Sequence, residues 1–336
     1  MDAGLVIAIL LALAFAITNG LHDASNAIAT LVATRAATPF QAIVLASVFN
    51  LLGPLFVGAA VADTIGGIVT VDPSAATDVI GAGLAAAGAW NLLTWRLGLP
   101  SSSGHALVGG LVGAALVEGG INAVNWGGFD GWHPVGVFGT LIALAAAPAL
   151  GALGALLVIR AIRRLARRAT RRWGGTVRGG QWVMSSALAF SHGANDAQKS
   201  VGVIAALLLA NGRIDTLAAP TWAALACAVA LTVGTALGGW RIIRTVGRRI
   251  YRIAPVEGLS SQTASAGVIF GASLIGAPTS TTQVVASSVV GIGIGRRRLR
   301  HVHWAVVRQM GLAWLVTMPV TAVLATAVFG LLRWLT

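Results

Sequence analysis

Residues 19–26 read NGLHDASN inside a long apolar stretch, and residues 192–199 read HGANDAQK inside another. The glycine, the aspartate and the alanine after it recur at the same places, so that Asp23 corresponds to Asp196. An ionised side chain at membrane depth costs about 3 kcal/mol or more and usually marks a functional site. The duplicated motif therefore predicts a functional pair of carboxylates within apolar helices.

A second pair of motifs follows these two along the chain. Residues 100–103 read PSSS and residues 278–281 read PTST. The first begins 80 residues after Gly20, and the second begins 85 residues after Gly193. Two motifs that keep their order and nearly their spacing indicate one structural unit that occurs twice.

The composition is that of a membrane protein. Of the 336 residues, 56% are hydrophobic and 10% are charged, whereas a soluble domain carries about 25% charged residues. Several apolar blocks reach the roughly 20 residues that span a bilayer core, which predicts an all-α membrane protein of roughly 10–12 segments. We expect two inverted-topology repeats with broken helices and re-entrant hairpins. The first is expected at residues 1–159, a basic linker at 160–180 and the second repeat at 181–336.

The distribution of arginine predicts that the two repeats have opposite orientations. Arginines cluster at 160–178, 241–252 and 296–300, as is typical of cytoplasmic loops. The first-repeat segments that correspond to the last two clusters, 63–78 and 119–134, contain no Lys or Arg. Inverted repeats are common in secondary transporters. We therefore expect a multi-pass protein of the plasma (cytoplasmic) membrane, with its N-terminus outside and the 160–178 linker in the cytoplasm.

Charge and cysteine content narrow the classes of protein to which this chain could belong. The net charge of +13 lies mostly in short loops, which favours a topology signal with some contact to lipid headgroups over nucleic-acid binding. The apolar block at residues 5–17 has no basic region before it and is expected to be a retained helix rather than a signal peptide. The single cysteine, Cys227, is expected to pack among apolar neighbours. No His/Cys spacing predicts a zinc site.

Further polar residues accompany the two carboxylates. The motif glycines would allow a broken helix whose backbone faces a cavity. His22 and His192 are candidate proton carriers, and a structural, hydrogen-bonded role suits each equally well. Lys199 takes the place that Asn26 has in the first copy. Its ammonium could bind substrate, act as a fixed counter-ion, or form a salt bridge that only holds the helix.

The PSSS and PTST segments predict helix starts inside re-entrant hairpins. Proline is favoured in the first helical turn, and Ser or Thr caps the free N–H groups there. A helix N-terminus with free N–H groups binds anions, and two such ends that face each other could hold one tetrahedral oxyanion near the membrane midplane. The candidate hydroxyl ligands are Ser101, Ser102, Ser103, Thr279, Ser280 and Thr281.

Charge balance predicts cation coupling. Two carboxylates would repel a divalent oxyanion in a medium of low dielectric constant. Each negative charge moved inward against 100 mV costs about 2.3 kcal/mol. Protons, sodium ions or a divalent metal carried with the anion could supply the positive charge, and no resident cofactor is expected. Because the Lys199 ammonium would repel a sodium ion beside Asp196, we favour protons.

Four segments resemble the inorganic phosphate transporter (PiT) family. They are NGLHDASNAIAT at 19–30, WNLLTWRLGLPSSSGHALVG at 90–109, SHGANDAQKSVG at 191–202 and GAPTSTTQVVASS at 276–288. Together they span nearly the whole chain. The HD and QK variants of the motifs look like the bacterial low-affinity branch of this family.

This resemblance implies import of inorganic phosphate by alternating access. It places Asp23, Asn26, Asn195 and Asp196 in the paired signature motifs, and the hydroxyl residues named above at the hairpin tips. The branch that the motifs resemble is associated with proton coupling and with metal-phosphate substrates.

Two departures and several alternatives accompany this resemblance. Gly104 and Gln283 stand where the family commonly has a hydroxyl residue and a histidine, which leaves the set of anion ligands open. A sulfate or other oxyanion permease and a sodium-coupled phosphate symporter are the alternative functions. An enzyme is not expected, since duplicated half-sites suit one shared ligand better than one nucleophile. The expected partners are inorganic phosphate and membrane lipid, with a homodimer left open and no nucleic acid.

Overall fold

The computed structural model describes residues 2–131, 133–165, 173–238, 242–243, 245 and 250–335. Within these residues the chain forms eleven α-helices and one short β-hairpin. The helices are α1 Ala3–Ala33, α2 Pro39–Phe56, α3 Ala60–Gly66, α4 Pro73–Leu97, α5 Ser103–Gly119, α6 Gly136–Leu165, α7 Gly174–Ala210, α8 Thr221–Leu237, α9 Pro255–Leu274, α10 Thr281–Gly295 and α11 Trp304–Leu335. Strands β1 Gly128–Asp130 and β2 His133–Val135 pair antiparallel.

The predicted all-α membrane fold is confirmed. By length and apolar composition, five of the described helices could cross a membrane: α1, α2, α6, α11, and α5 with the short 3₁₀ turn that follows it. Helices α8 and α10 are apolar but shorter. The order of helices in the first half recurs in the second, so that α4–α5 and α9–α10 are matching hairpins.

The boundary between the two halves lies near the basic linker. Helix α6 continues through Leu165, six residues beyond the predicted end of the first repeat at residue 159, and α7 begins at Gly174. Residues 166–172, the centre of the predicted linker, lie outside the described residues. The division into repeats at 1–159 and 181–336 stays a prediction.

Helices of one half pack on helices of the other half, and equivalent helices make equivalent contacts. Helix α1 packs on α8 and α7 packs on α2, while α6 packs on α10 and α11 packs on α5. The motif glycines permit this approach: a Cβ at Gly20 would overlap the carbonyl oxygen of Leu231, and one at Gly193 would overlap that of Asn50. Both signature helices are continuous through these glycines. The expected helix break at the motifs was therefore wrong, and the glycines serve close backbone packing instead.

The breaks in the fold lie at the other pair of motifs. Residues 98–102 separate α4 from α5, and residues 275–280 separate α9 from α10. Buried apolar residues form two clusters, one around Phe15 and Leu107 and the other around Ile28 and Val285. Along α1 the polar motif at residues 19–26 falls between the two clusters, so the signature residues occupy a polar layer inside the protein.

Described residues of the loops poor in arginine bond one another, and so do described residues of the loops rich in arginine. Among the arginine-poor loops, the Thr70 N–H donates to the Ala123 carbonyl (2.9 Å), and the Asn125 side chain donates to the Gly67 carbonyl (2.9 Å). Among the arginine-rich loops, the His303 N–H donates to the Ile250 carbonyl (3.0 Å). This grouping agrees with the arginine pattern, while the direction in which the protein sits in the membrane stays a prediction.

Candidate anion and cation site

Asp23 is held by residues from three helices. Its Oδ1 lies 3.0 Å from His22 Nδ1 and accepts a hydrogen bond from the Thr282 hydroxyl at 2.6 Å. Its Oδ2 accepts from the Ser103 hydroxyl at 2.9 Å. Asp23 is 1% exposed, so the carboxylate depends on these donors for its solvation. Ser103 and Thr282 open helices α5 and α10, and both hairpin tips therefore converge on one carboxylate.

Asp196 has a different set of partners. The Lys199 ammonium donates to its Oδ1 at 2.5 Å, and the Thr281 hydroxyl donates to its Oδ2 at 3.3 Å. His192 Nε2 lies 3.0 Å from the same Oδ2. Lys199 also donates to the Thr279 carbonyl at 2.8 Å. The ion pair is fully buried, which makes it costly to disrupt from one side.

The two carboxylates lie close together across the repeat boundary. One ligand atom each from Asp23, His192 and Asp196 lies within 4.8 Å of the other two. Two carboxylates and an imidazole are a donor set that many divalent cations accept. The predicted pair of signature carboxylates therefore forms a single site rather than two separate ones.

Thr281 and Thr282 connect the halves directly. The Asn26 amide of the first motif donates to both threonine hydroxyls, at 3.2 Å and 3.0 Å. Thr281 in turn bonds Asp196, and Thr282 bonds Asp23. The first turn of α10 thus touches both motifs at once, and it is the element on which the site is organised.

The phosphate transporter family is the family whose model matches this chain, at residues 19–177 and 164–325. The chain belongs to this family. The family predicted from the four motifs is confirmed, and a family of transporters accords with the expectation that the chain is not an enzyme.

Curated relatives of the same family cover almost the whole chain. A Bacillus subtilis (strain 168) protein is 39% identical over 99% of this chain and 99% of its own length. A protein of Mycobacterium tuberculosis (strain ATCC 25618 / H37Rv) is 41% identical over 98% of this chain and 78% of its own length. Both carry the name "Probable low-affinity inorganic phosphate transporter".

A solved structure shares the fold of this family member. It is described as "The sodium-dependent phosphate transporter", is 26% identical, and superposes with a TM-score of 0.86. The match covers 99% of this chain and all of the other. The fold inferred from the motifs is therefore that of a solved phosphate transporter.

Each signature motif of this phosphate transporter family member braces its own hairpin tip. His22 Nε2 lies 3.1 Å from the Ser101 hydroxyl. At the matching place in the second half, Asn195 Oδ1 accepts from the Thr279 N–H at 3.2 Å, and its amide donates to Ser273 at 3.1 Å. Asn195 and His22 hold equivalent positions, so a histidine and an asparagine perform the same bracing in the two halves.

The predicted helix starts are present at both tips. Ser102 is the N-cap of α5 and accepts from the His105 N–H at 3.2 Å. Ser280 is the N-cap of α10 and accepts from the Gln283 N–H at 3.4 Å. These two hydroxyls are engaged by their own helices, whereas Ser103 and Thr281 point to the carboxylates.

Gly104, one departure from the family pattern, lies beside Lys199. A Cβ at Gly104 would be 3.6 Å from the Lys199 ammonium nitrogen and 3.9 Å from Cε. Lys199 therefore reaches the first hairpin as well as the second. The absence of a side chain at residue 104 leaves room for the long lysine side chain at this junction.

Sequence reasoning missed two residues that the structure places at the site. Thr282 matches Gly104 in the repeat, and only the doubled threonine after PTS hinted at it. Asn50 lies in an apolar helix and its Oδ1 is 3.0 Å from His192 Nδ1. An isolated asparagine in an apolar block was the available signal, because a buried amide needs a partner.

Proposed function

We propose that this chain imports inorganic phosphate together with protons, by alternating access between the two membrane faces. The observation that carries the proposal is the buried Lys199–Asp196 ion pair at the junction of two hydroxyl-bearing helix starts. Each element of the proposal follows from the charges and donors at that junction.

The anion class follows from the two helix starts. Helices α5 and α10 begin at the site with Ser103 and Thr281 in their first turns. Free N–H groups and the positive end of the helix dipole favour a negative ligand at each start. Hydroxyls on both sides can donate to several oxygens of one tetrahedral anion, and membership of the phosphate transporter family supports phosphate over sulfate.

The coupling ion follows from the fixed charges. Asp23 and Asp196 supply two negative charges and Lys199 supplies one positive charge within the polar layer. A phosphate dianion would leave this layer about three charges negative. His22 and His192 lie 3.0 Å from the two carboxylates, where a proton carried by an imidazole would face a carboxylate oxygen. Protons on these groups can therefore compensate the anion without a metal ion.

Sodium is disfavoured at Asp196 because an ammonium already occupies its Oδ1. The solved relative is described as sodium-dependent, and a sodium-coupled phosphate symporter is therefore the alternative for this chain. In the first motif the residue equivalent to Lys199 is the neutral Asn26. The two half-sites thus differ in charge, and the difference predicts less need of sodium in the second.

A metal-phosphate complex is a second candidate substrate. The cluster of Asp23, His192 and Asp196 has the donor types and spacing for a divalent cation. A metal that travels with the phosphate would contact these three residues while the anion faces the helix starts. The metal would then be cargo and not a resident cofactor.

The test is uptake of labelled phosphate into proteoliposomes. Separate samples receive an inward proton gradient without sodium, a sodium gradient at equal pH, and a proton gradient with or without Mg²⁺ and a chelator. We expect uptake with the proton gradient alone, competition by arsenate and weak competition by sulfate. Uptake that needs sodium and ignores the pH gradient would contradict proton coupling, and strong inhibition by equimolar sulfate would favour the oxyanion alternative.

A further inference from the structure

A column of polar side chains leads away from the site between α1, α7 and α9. On α1, Thr30 and Thr34 follow Asn26 at intervals of four residues, so the three share one helix face. The Thr34 hydroxyl donates to Gln181 Oε1 of α7 at 2.6 Å. One turn further along α7, the Ser185 hydroxyl donates to a backbone carbonyl of α1 at 2.7 Å.

Helix α9 closes the third side of this column. A Cβ on Gly258 would lie 2.8 Å from Thr34 Cγ2 and 2.9 Å from Gln181 Oε1. Gln262 and Ser265 stand four and seven residues after Gly258, on the same helix face. Together these side chains form a polar seam that consists of Thr30, Thr34, Gln181, Ser185, Gln262 and Ser265.

The polar seam is closed, and several of its polar atoms have no protein partner. Among the described residues these are the Thr30 hydroxyl, the Gln181 amide nitrogen, both ends of the Gln262 amide and the Ser265 hydroxyl. All four residues are at most 1% exposed. A buried polar group without a partner costs about 1–3 kcal/mol. Buried polar groups without a protein partner call for an explanation, such as ordered water or a functional role.

The fold itself does not require these polar residues. Thr30 and Thr34 of α1 correspond in the repeat to Val203 and Leu207 of α7. The α9 stretch GLSSQTAS, which contains Gln262 and Ser265, corresponds to the stretch IGAGLAAA of α4. The matching surface of the other half is therefore apolar throughout. One fold packs well with apolar residues at these places, so the polar ones serve another purpose.

The two ends of the polar seam both suit an anion. At one end Asn26 bonds Thr281 and Thr282 in the candidate site. At the other end a cavity of about 640 Å³ includes Thr34 and the basic residues Arg35, Arg252 and His303 in its lining. Guanidinium groups are well suited to bind phosphate oxygens. Hydrogen-bond donors thus run from the site to a basic mouth on the arginine-rich face.

We infer that the polar seam is the inner half of the phosphate path, closed in this conformation, and that it opens to release phosphate past Arg35, Arg252 and His303. The inference rests on the proposed function and extends it to the release route. When α9 moves away from α1 and α7, water and phosphate take the place of the missing protein partners. The apolar counterpart in the other half has no such groups to offer a passing anion.

Two substitutions test the path without touching the site. Thr30→Val and Gln262→Leu keep side-chain size and remove the unpartnered polar atoms. Thr321→Val is the matched control, because Thr321 is a buried helical threonine whose hydroxyl bonds the carbonyl of Thr317 in its own helix at 2.9 Å. Proteoliposome uptake, equilibrium binding of labelled phosphate and thermal unfolding are measured for each variant.

For both seam variants we expect uptake to fall at least about ten-fold, which is about 1.4 kcal/mol in the barrier. Phosphate binding and the unfolding midpoint should stay at or above wild type, since an orphaned polar group is removed. The control should transport normally. Wild-type uptake by both seam variants would overturn the inference, and so would a parallel loss of phosphate binding.

A thiol-labelling experiment tests the release route independently of the proposed function. In a Cys227→Ala background, Ser265→Cys is treated with a membrane-impermeant thiol reagent from each face during turnover. Labelling only from the arginine-rich face supports the seam as a release route. Failure to label from that face refutes the seam whatever the wild type carries. A wild type that neither binds nor carries phosphate refutes the proposed function instead.

Discussion

Replacing Lys199 by asparagine should give the second half-site the neutral amide that the first half-site has at Asn26. Lys199 Nζ lies 2.5 Å from Asp196 Oδ1; at that separation, two unit charges attract with about 7 kcal/mol for an effective dielectric constant near 20. Desolvation offsets part of this, and removing one partner of a buried pair costs about 3–5 kcal/mol. Asp196 then needs another cation, and we expect sodium to bind there.

The magnitude sets the expected assay result. A cost of about 3–5 kcal/mol corresponds to between roughly a hundred-fold and a few thousand-fold in an equilibrium constant. Without sodium, Lys199→Asn should therefore unfold at a lower temperature than wild type and take up little phosphate. Sodium should restore the unfolding temperature and stimulate uptake at least about ten-fold, because a bound ion stabilises the folded form. The wild type should show neither response.

The matched control is Lys199→Arg, which keeps the positive charge beside Asp196. It should show no sodium stimulation, even if its larger head group slows uptake near Gly104. The measurement is phosphate uptake in proteoliposomes at fixed pH gradient, with sodium exchanged for a large organic cation. Proton-driven uptake by Lys199→Asn at the wild-type rate, indifferent to sodium, would refute the role of Lys199 as fixed counter-charge.

Three further predictions concern the site and the topology. Thr282→Val removes hydrogen bonds of 2.6 Å to Asp23 and 3.0 Å to Asn26. Because a hydrogen bond to a charged group contributes about 1.5–3 kcal/mol, phosphate uptake should fall by about 10- to 100-fold. Unchanged uptake would count against the convergence of both motifs on α10. Asp23→Asn and Asp196→Asn should each abolish concentrative uptake, while size-exclusion profiles show a folded protein; near-normal uptake would make that carboxylate structural. In a cysteine-free background, Ser74→Cys on intact cells should react with an impermeant reagent and Arg164→Cys should not, and the reverse pattern would contradict the inverted orientation.

Much of the site could be predicted because the chain carries it twice. The repeated glycine–aspartate motif and the paired PSSS and PTST segments identified Asp23, Asp196 and the two helix starts from spacing alone. The structure brings them together, since Ser103 and Thr282 both bond Asp23. A duplicated motif is informative because two copies of one unit can share a ligand at their interface.

What could not be predicted depends on contacts between the halves. Thr282 was missed because its counterpart, Gly104, has no side chain and so removed it from the repeat pattern. The motif glycines were read as helix breaks, whereas Gly20 and Gly193 allow α1 and α7 to approach the opposite half. A glycine in a helix has the same local signature for a break and for close packing, and only the neighbouring helix distinguishes them.

The proposed function depends on the places where the two halves of the molecule differ. A perfectly symmetric pair of repeats would hold an anion equally well from both faces and would present the same charge to both motifs. Lys199 breaks the charge symmetry, because it pairs with Asp196 where Asn26 leaves Asp23 to hydroxyl and imidazole donors. The polar seam breaks the symmetry of the packing between the halves, because the counterpart of Gln262 in the other half is apolar. In the proposed function, the first difference selects the cation that accompanies the phosphate, and in the inferred release route the second selects the face at which the phosphate leaves.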